Sequence, residues 1–334
     1  MTSELKGVMV GAGFFAEFQA EAWNRLPGAR ITAVADLDPD KAAAFAARWN
    51  IPNVYRDAAE MLARERPDFI DIVTTPETHL ALARLGAEAG VAVICQKPMA
   101  PTYEECVAMV EACERAGVRL LIHENWRWQP WYREIKRLEQ AGRFGKVFHL
   151  AFRMRNGDGR GANPYTRQPY FRFMKRFLIH ETLVHFLDTF RFLAGEIRSL
   201  HCRIARVNPL IAGEDYALIT MTFESGAHGM IDANRISGPL PLDPAFGTFW
   251  MEGERAMVRM SPDGRLWLTD YGDSERQHPY EIPEAGYKGD SVLALQRHFI
   301  QCLTTGARCE SEGRDYLRTV AAVMECYRSA EAAE

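Results

Sequence analysis

A glycine-rich turn close to the amino terminus constrains this chain more than any other feature. The apolar run Leu5–Val10 leads directly into Gly11-Ala12-Gly13-Phe14-Phe15-Ala16, and a helical pattern, Phe14–Arg25, opens inside that turn. Gly11 permits the tight reversal, Gly13 lets backbone approach a pyrophosphate, and Ala16 is small enough for close helix–strand packing. The helix N-terminus then offers unpaired N–H groups and a positive dipole end to phosphate. The next apolar run ends before Asp36, an acidic side chain placed to accept bonds from ribose hydroxyls. Strand, turn, helix and acid at this spacing predict a dinucleotide site, with Phe14 and Phe15 counted among its residues. A carboxylate repels a 2′-phosphate, and Leu37, Asp38, Pro39 and Asp40 bring no cation directly after it. NAD is therefore expected rather than NADP. The competing reading is a ligand-free turn with Asp36 as a surface charge.

The alternation continues beyond this unit. Apolar runs at Ile31–Ala35, Phe69–Val73, Val91–Cys95 and Arg119–Ile122 alternate with helical patterns at Pro39–Trp49, Glu77–Ala89 and Thr102–Ala116. Short continuous apolar strands of this kind belong to a parallel sheet covered by helices on both faces. The expected first domain, residues 1–125, is an α/β Rossmann domain with a doubly wound parallel sheet. After Trp126 the pattern changes. One helix, Trp131–Ala141, precedes β-like runs at Val147–Met154, Ile197–Val207, Tyr216–Phe223, His228–Asn234, Thr248–Met251, Ala256–Met260 and Leu266–Thr269. Helices return only at His180–Ala194, Val292–Thr304 and Arg314–Ala332. Strands that follow one another without helices predict an α+β second domain, residues 126–334, with a large, mostly antiparallel sheet.

Composition excludes several partners. At 334 residues the chain suits two cores, and a net charge of -4 provides no basic excess to neutralise phosphates. Nucleic acid is not expected as a partner. No apolar run is long enough to span a bilayer, and Met1–Lys6 lacks the pattern of a signal peptide. The seven cysteines include no C-x-x-C pair, which points to free thiols in a reducing cytoplasm. No ligand spacing suggests zinc, and His180 and His185 have the wrong separation for a helical metal pair, so no metal is expected.

Two further strand ends bear on the site. Thr74-Thr75-Pro76 follows the third strand of the alternation at the carboxyl edge of the sheet, where ligands bind in open α/β folds. Thr74, Thr75 and the nearby His79 are expected beside the cofactor, although Thr75 could equally be only a helix cap. The next strand ends in Gln96-Lys97-Pro98, and Asn125-Trp126-Arg127-Trp128-Gln129-Pro130 follows the last one. In these motifs, their order and their spacing, the chain resembles the glucose-fructose oxidoreductase/inositol dehydrogenase family over essentially its whole length. The pairing of Gln-Lys-Pro with His-Glu-Asn-Trp-Arg-Trp-Gln is similar to the subgroup containing apiose dehydrogenase.

The resemblance implies that Lys97 lies beside the nicotinamide and the reacting hydroxyl, where a cation stabilises developing alkoxide. It also implies a Lys97–Pro98 cis peptide. The family carries glutamate where this chain has Gln96; the amide keeps the capacity to bond a cofactor hydroxyl but removes a negative neighbour of Lys97. Asn125 is implied at the nicotinamide end. In the second domain, Glu181, His185 and Asp188 share one face if 180–194 is a regular α-helix. The family's proton acceptor is a histidine at this place, and Glu181 and His185 match its acid-x-x-x-His spacing. A carboxylate one turn away can hold the imidazole's tautomer and stabilise the imidazolium. The competing reading is a helix-surface ion pair. His180 is a secondary candidate.

Substrate contacts are expected from Arg127, Trp128, Arg155, Asn156, Tyr170 and His185, with the glycine- and proline-bearing loop Gly157–Tyr170 placed to close over a site. The expected activity is NAD-dependent oxidation of a sugar, sugar-acid or polyol hydroxyl. The alternatives are a relative that uses NAD to cleave glycosidic bonds without net redox, or a non-catalytic sensor of NAD and sugar. A homodimer or homotetramer built through the second domain's sheet is implied by the resemblance.

Overall fold

The computed structural model describes residues 4–332, so the expectations that touch Met1–Ser3 and the last two residues lie outside the described residues. The chain divides into two units, one holding residues up to 128 together with 285–320, the other holding 129–284 and the residues from 321 onward. The expected boundary at 125/126 is therefore corrected to 128/129. A stretch assigned to the second domain, 285–320, also belongs to the first unit. Its helix buries Val292, Leu295 and Phe299 in the same cluster as Ala16, Trp23 and Phe45. Periodicity reveals that a helix has an apolar face; it does not say which core receives that face.

The first unit begins with β1 (Leu5–Val10), α1 (Phe14–Arg25), β2 (Ala29–Ala35), α2 (Pro39–Trp49), β3 (Asn53–Tyr55) and α3 (Ala58–Glu65). It continues with β4 (Phe69–Ile72), α4 (Pro76–Glu88), β5 (Ala92–Gln96), α5 (Tyr103–Arg115) and β6 (Leu120–His123). The strands pair in the order β3-β2-β1-β4-β5-β6, all parallel. This is the doubly wound sheet expected. Strand order reverses between β1 and β4, which opens a crevice at their carboxyl ends. Local chemistry sets the helix starts: Asp38 caps α2 ahead of Pro39, and Thr102 and Glu105 form a capping box on α5.

The second unit contains α6 (Pro130–Gln140), β7 (Val147–Arg155), α7 (Val184–Ala194), β8 (Ile197–Ala205), β9 (Tyr216–Phe223) and β10 (His228–Asn234). Then come β11 (Gly247–Gly253), β12 (Ala256–Met260), β13 (Leu266–Asp270) and β14 (Arg276–His278). Helix α8 (Ser291–Thr305) belongs to the first unit; α9 (Gly313–Glu331) begins in the first and ends in the second. The eight-stranded sheet runs β14-β13-β12-β11-β7-β10-β9-β8. Among the described residues only β7 and β10 of this sheet pair in parallel, in agreement with a mostly antiparallel sheet.

Burial alternates along β11 and β12, as a sheet with one covered face requires. Helix α7 covers that face: Phe186 stacks on Phe152 at 3.8 Å, and Phe190 meets Phe249 at 5.8 Å. Truncating either buried ring to alanine would cost ~3–5 kcal/mol. Among the described residues, no helix is long and apolar enough to cross a membrane.

Candidate functional site

The turn after β1 has the geometry its glycines predict. Gly11 has φ +99°, and a Cβ there would stand 2.4 Å from the Val73 carbonyl oxygen, so no side chain fits. At Gly13, the N-cap of α1, an added Cβ would meet nothing within 4 Å, and no side chain caps the helix. This open approach to a helix N-terminus fits a pyrophosphate. Asp36 lies beside it, its carboxylate accepting the N–H groups of Ala12 at 2.8 Å and Asp38 at 3.0 Å. Lys41 Nζ stands 3.9 Å from Asp36 because the first turn of α2 brings it back, a cation that reading 37–40 in line does not reveal. Phe14 is half exposed, whereas Phe15 packs edge-on against Tyr287 with ring centroids 5.2 Å apart.

The carboxyl ends of β4 and β5 are tied together from below. Asp71, in the middle of β4, is fully buried and accepts bonds from Gln19 Nε2 at 2.8 Å and Trp23 Nε1 at 2.7 Å. Burial pushes its carboxyl up to about 7, against the pull of those donors. The Gln19 carbonyl oxygen accepts from Gln96 Nε2 at 2.8 Å, and Gln96 Oε1 accepts the backbone N–H of Lys97 at 2.7 Å. Gln96 thus turns its amide inward, between Gln19 and the Lys97 backbone. The Lys97–Pro98 peptide is cis.

His79 bridges two segments of the backbone. Its two ring nitrogens face backbone oxygens, Met99 at 3.1 Å and Thr74 at 3.2 Å, so the buried ring joins the Thr74 turn to the segment after Lys97. Desolvation lowers its pKa. Thr75 is the N-cap residue of α4, and the Thr74 hydroxyl accepts from Thr78 at 2.7 Å.

Asn125 Nδ2 donates to the Ser291 hydroxyl at 2.8 Å, and the buried Arg127 reaches the Glu310 carbonyl at 3.4 Å. Trp128 is buried, stacked on His298 with centroids 4.7 Å apart. These contacts anchor the chain that leaves β6.

In the second unit the regular α-helix expected over 180–194 is corrected. Leu178–Leu183 is a π-helix, and α7 starts only at Val184, whose N–H reaches the Ile179 carbonyl five residues back. Glu181, like His180, lies in the wider turn, while His185 and Asp188 lie beyond it in α7, so Glu181 does not share a regular α-helical face with His185 and Asp188. Glu214 holds the start of this segment. Its carboxylate accepts the N–H groups of Phe177 at 3.1 Å and Ile179 at 3.0 Å and the Tyr327 hydroxyl at 2.6 Å. A π-turn inside a helix commonly marks a functional position.

His185 is buried, and its carbonyl accepts the Thr189 hydroxyl at 2.8 Å. Glu181 Oε2 accepts the Thr182 hydroxyl at 2.6 Å, and Arg235 donates to that same hydroxyl at 3.1 Å. Arg235 pairs with Asp158 and lies 5.1–5.6 Å from the ring centroids of Tyr165, Phe171 and Phe177, which packs the loop around 157–170 onto the unit. Arg155 pairs with Asp232. Asn156 is buried, with no partner for its Nδ2 among the described residues. Tyr170 is half exposed and accepts from Gln168 at 3.0 Å. Gln19, Asp71, Glu214 and Arg235 were not singled out from sequence; only Asp71, a lone acid in the run Phe-Ile-Asp-Ile, carried a local signal.

Comparison with known proteins agrees with this geometry. Residues 5–124 match the model of an oxidoreductase family with an NAD-binding Rossmann fold, and residues 132–259 match the GFO/IDH/MocA C-terminal domain. The chain is 38% identical to a D-apiose dehydrogenase of Paraburkholderia graminis, across 97% of this chain and 87% of that protein. It is 35% identical to a D-apiose dehydrogenase of Rhizobium rhizogenes, across 98% and 96% respectively. A solved oxidoreductase from Agrobacterium radiobacter, in complex with NAD+, L-tartaric acid and magnesium, superposes with TM-score 0.92 at 33% identity, covering 99% of this chain and 98% of that one. With both of its halves matched by the family's models and its full length by these relatives, the chain belongs to the Gfo/Idh/MocA family of NAD-binding oxidoreductases.

Proposed function

We propose that this NAD-dependent dehydrogenase oxidises D-apiose or a closely similar neutral sugar, converting one hydroxyl-bearing carbon to a carbonyl. The observation behind this reading is the full-length identity of 38% and 35% to two D-apiose dehydrogenases. The arginines of the second unit support a neutral substrate over an acidic one. Arg155 is paired with Asp232 and Arg235 with Asp158, so both charges are already matched by carboxylates.

In the first unit, Gly11 and Gly13 would hold the pyrophosphate at the start of α1 and Asp36 the adenosine ribose. The nicotinamide, when bound, supplies the acceptor for the hydride that leaves the substrate carbon. Lys97, at the carboxyl end of β5, stabilises negative charge on the substrate oxygen as its proton departs. The His185 imidazole receives that proton while the carbon–oxygen double bond forms. Glu181 is a positioning residue for His185, and the Thr182 hydroxyl holds its carboxylate.

A panel of D-apiose, D-glucose, myo-inositol, levoglucosan and L-tartrate, followed by NADH absorbance, tests the substrate. D-apiose should give the highest kcat/KM by about tenfold or more. Faster turnover of L-tartrate than of any sugar would replace this reading with a hydroxy-acid dehydrogenase.

A further inference from the structure

We infer that His298, Cys302 and Cys309 form a binding site for a thiophilic divalent cation such as zinc, which ties α8 to the chain that follows it. One ring nitrogen and two sulfurs from these residues lie within 4.8 Å of one another. His298 and Cys302 sit at i and i+4 on α8 and so share a face. Gly306, at φ +71°, ends the helix, and the segment after it carries Cys309 back to them.

The distances suit a tetrahedral ion. Zinc–nitrogen and zinc–sulfur bonds of about 2.0 and 2.3 Å at tetrahedral angles place nitrogen and sulfur ligands roughly 3.6 Å apart. Cys302 Sγ is 3.5 Å from His298 Nε2. That nitrogen accepts the Glu310 N–H at 3.0 Å, so it carries the lone pair that a cation would take over, with the proton on Nδ1. Trp128, at a centroid distance of 4.7 Å, holds the ring. Both sulfurs are buried. A bound divalent cation supplies the charge that stabilises both as thiolates. Two thiolates balance the charge of one divalent ion, and solvent fills the fourth position.

The place in the fold indicates a structural role. Ile122 of β6 donates its N–H to the Ser311 carbonyl at 2.8 Å, and Leu121 forms a bridge with Glu312. Arg119 donates to the Cys302 carbonyl at 2.7 Å and pairs with Glu312. The segment 306–312 therefore covers β6, the edge strand of the parallel sheet. A cation there would fasten the cover of an edge that must not stay open. This inference is independent of the roles given to Lys97 and His185.

Titration of the reduced full-length protein with Co2+ provides the test. A thiolate-to-cobalt charge-transfer band should rise to saturation at one equivalent, disappear on adding zinc, and be absent from Cys302→Ser and Cys309→Ser. Alkylation mapping serves as the measurement that needs no variant: zinc should slow modification of Cys302 and Cys309 at least tenfold relative to the other cysteines. No charge-transfer band in the reduced wild type would overturn the site. So would unchanged alkylation at both cysteines with zinc bound, which would identify an adventitious ion only.

Discussion

The carboxamide of Gln96 holds the backbone of Lys97 at 2.7 Å while its other end is held by Gln19 at 2.8 Å. Because Gln19 donates to both oxygens of Asp71, a buried acid within β4 sets the orientation of two amides and so of the Lys97 peptide. The substitution Gln96→Glu would place an acceptor against the Gln19 carbonyl oxygen. If Gln19 turned over to donate to it, its own oxygen would face Asp71. We expect a loss of about 1–3 kcal/mol in stability, measured by urea denaturation, with a lower kcat for sugar oxidation and an NAD affinity close to wild type.

The same chain of bonds gives a pH signature. Asp71 has its carboxyl raised from 3.8 to about 7, so the folded state holds a proton that the unfolded chain has released. This contribution is full below the ordinary aspartate pKa and is lost as pH rises through about 7, a change of ~4 kcal/mol across the interval. Urea midpoints of the wild type should fall from pH 5 to pH 8 by more than those of Asp71→Asn. Parallel profiles would show that Asp71 does not titrate in this range.

Asp36, as the proposed ribose ligand, should govern cofactor preference. Replacing it with alanine removes the carboxylate proposed to hold the ribose and leaves Lys41, 3.9 Å from its position, available to a 2′-phosphate. The KM for NAD should rise by about tenfold or more, and activity with NADP should increase. Steady-state kinetics with both cofactors measures this. Unaltered discrimination would mean that another group selects against the phosphate.

The π-turn before His185 depends on Glu214. Glu214→Ala strips the acceptor from the Phe177 and Ile179 amides and from the Tyr327 hydroxyl. A displaced His185 should lower kcat by roughly tenfold to a hundredfold. NAD binding, measured by calorimetry, should stay near wild type because the residues proposed to hold the cofactor belong to the first unit. Glu214→Gln, which keeps an oxygen acceptor, should recover part of the loss.

Much of the first unit was legible because its strands and helices are long, apolar and punctuated by caps. Helices α1 and α2 and strand β1 begin and end where the pattern predicts. Strands β3 and β14, three residues each and mostly exposed, left no apolar run to detect, and α3 spans only eight residues. The π-helix was not legible because periodicity does not reveal a local i→i+5 widening, and Glu214, which holds its first amides, lies far along the chain from Leu178–Leu183. Gly11, Gly13, Asp36 and Lys97 announced themselves through motif and spacing. The inward turn of Gln96, the bridging of His79 and the burial of Trp128 depend on partners brought in by folding. Likewise, His298 and Cys302 lie one turn apart on α8, but only the fold brings Cys309 beside them.

The central claim is that NAD-dependent oxidation of a sugar by this chain requires both Lys97 and His185. Purified Lys97→Ala and His185→Ala should be assayed beside the wild type for kcat/KM on the best sugar of the panel and for NAD affinity by calorimetry. The account predicts a loss in kcat/KM of roughly 100- to 10,000-fold for each variant, with NAD affinity within a few-fold of wild type. Near-normal turnover in either variant, with the cofactor bound, would contradict it.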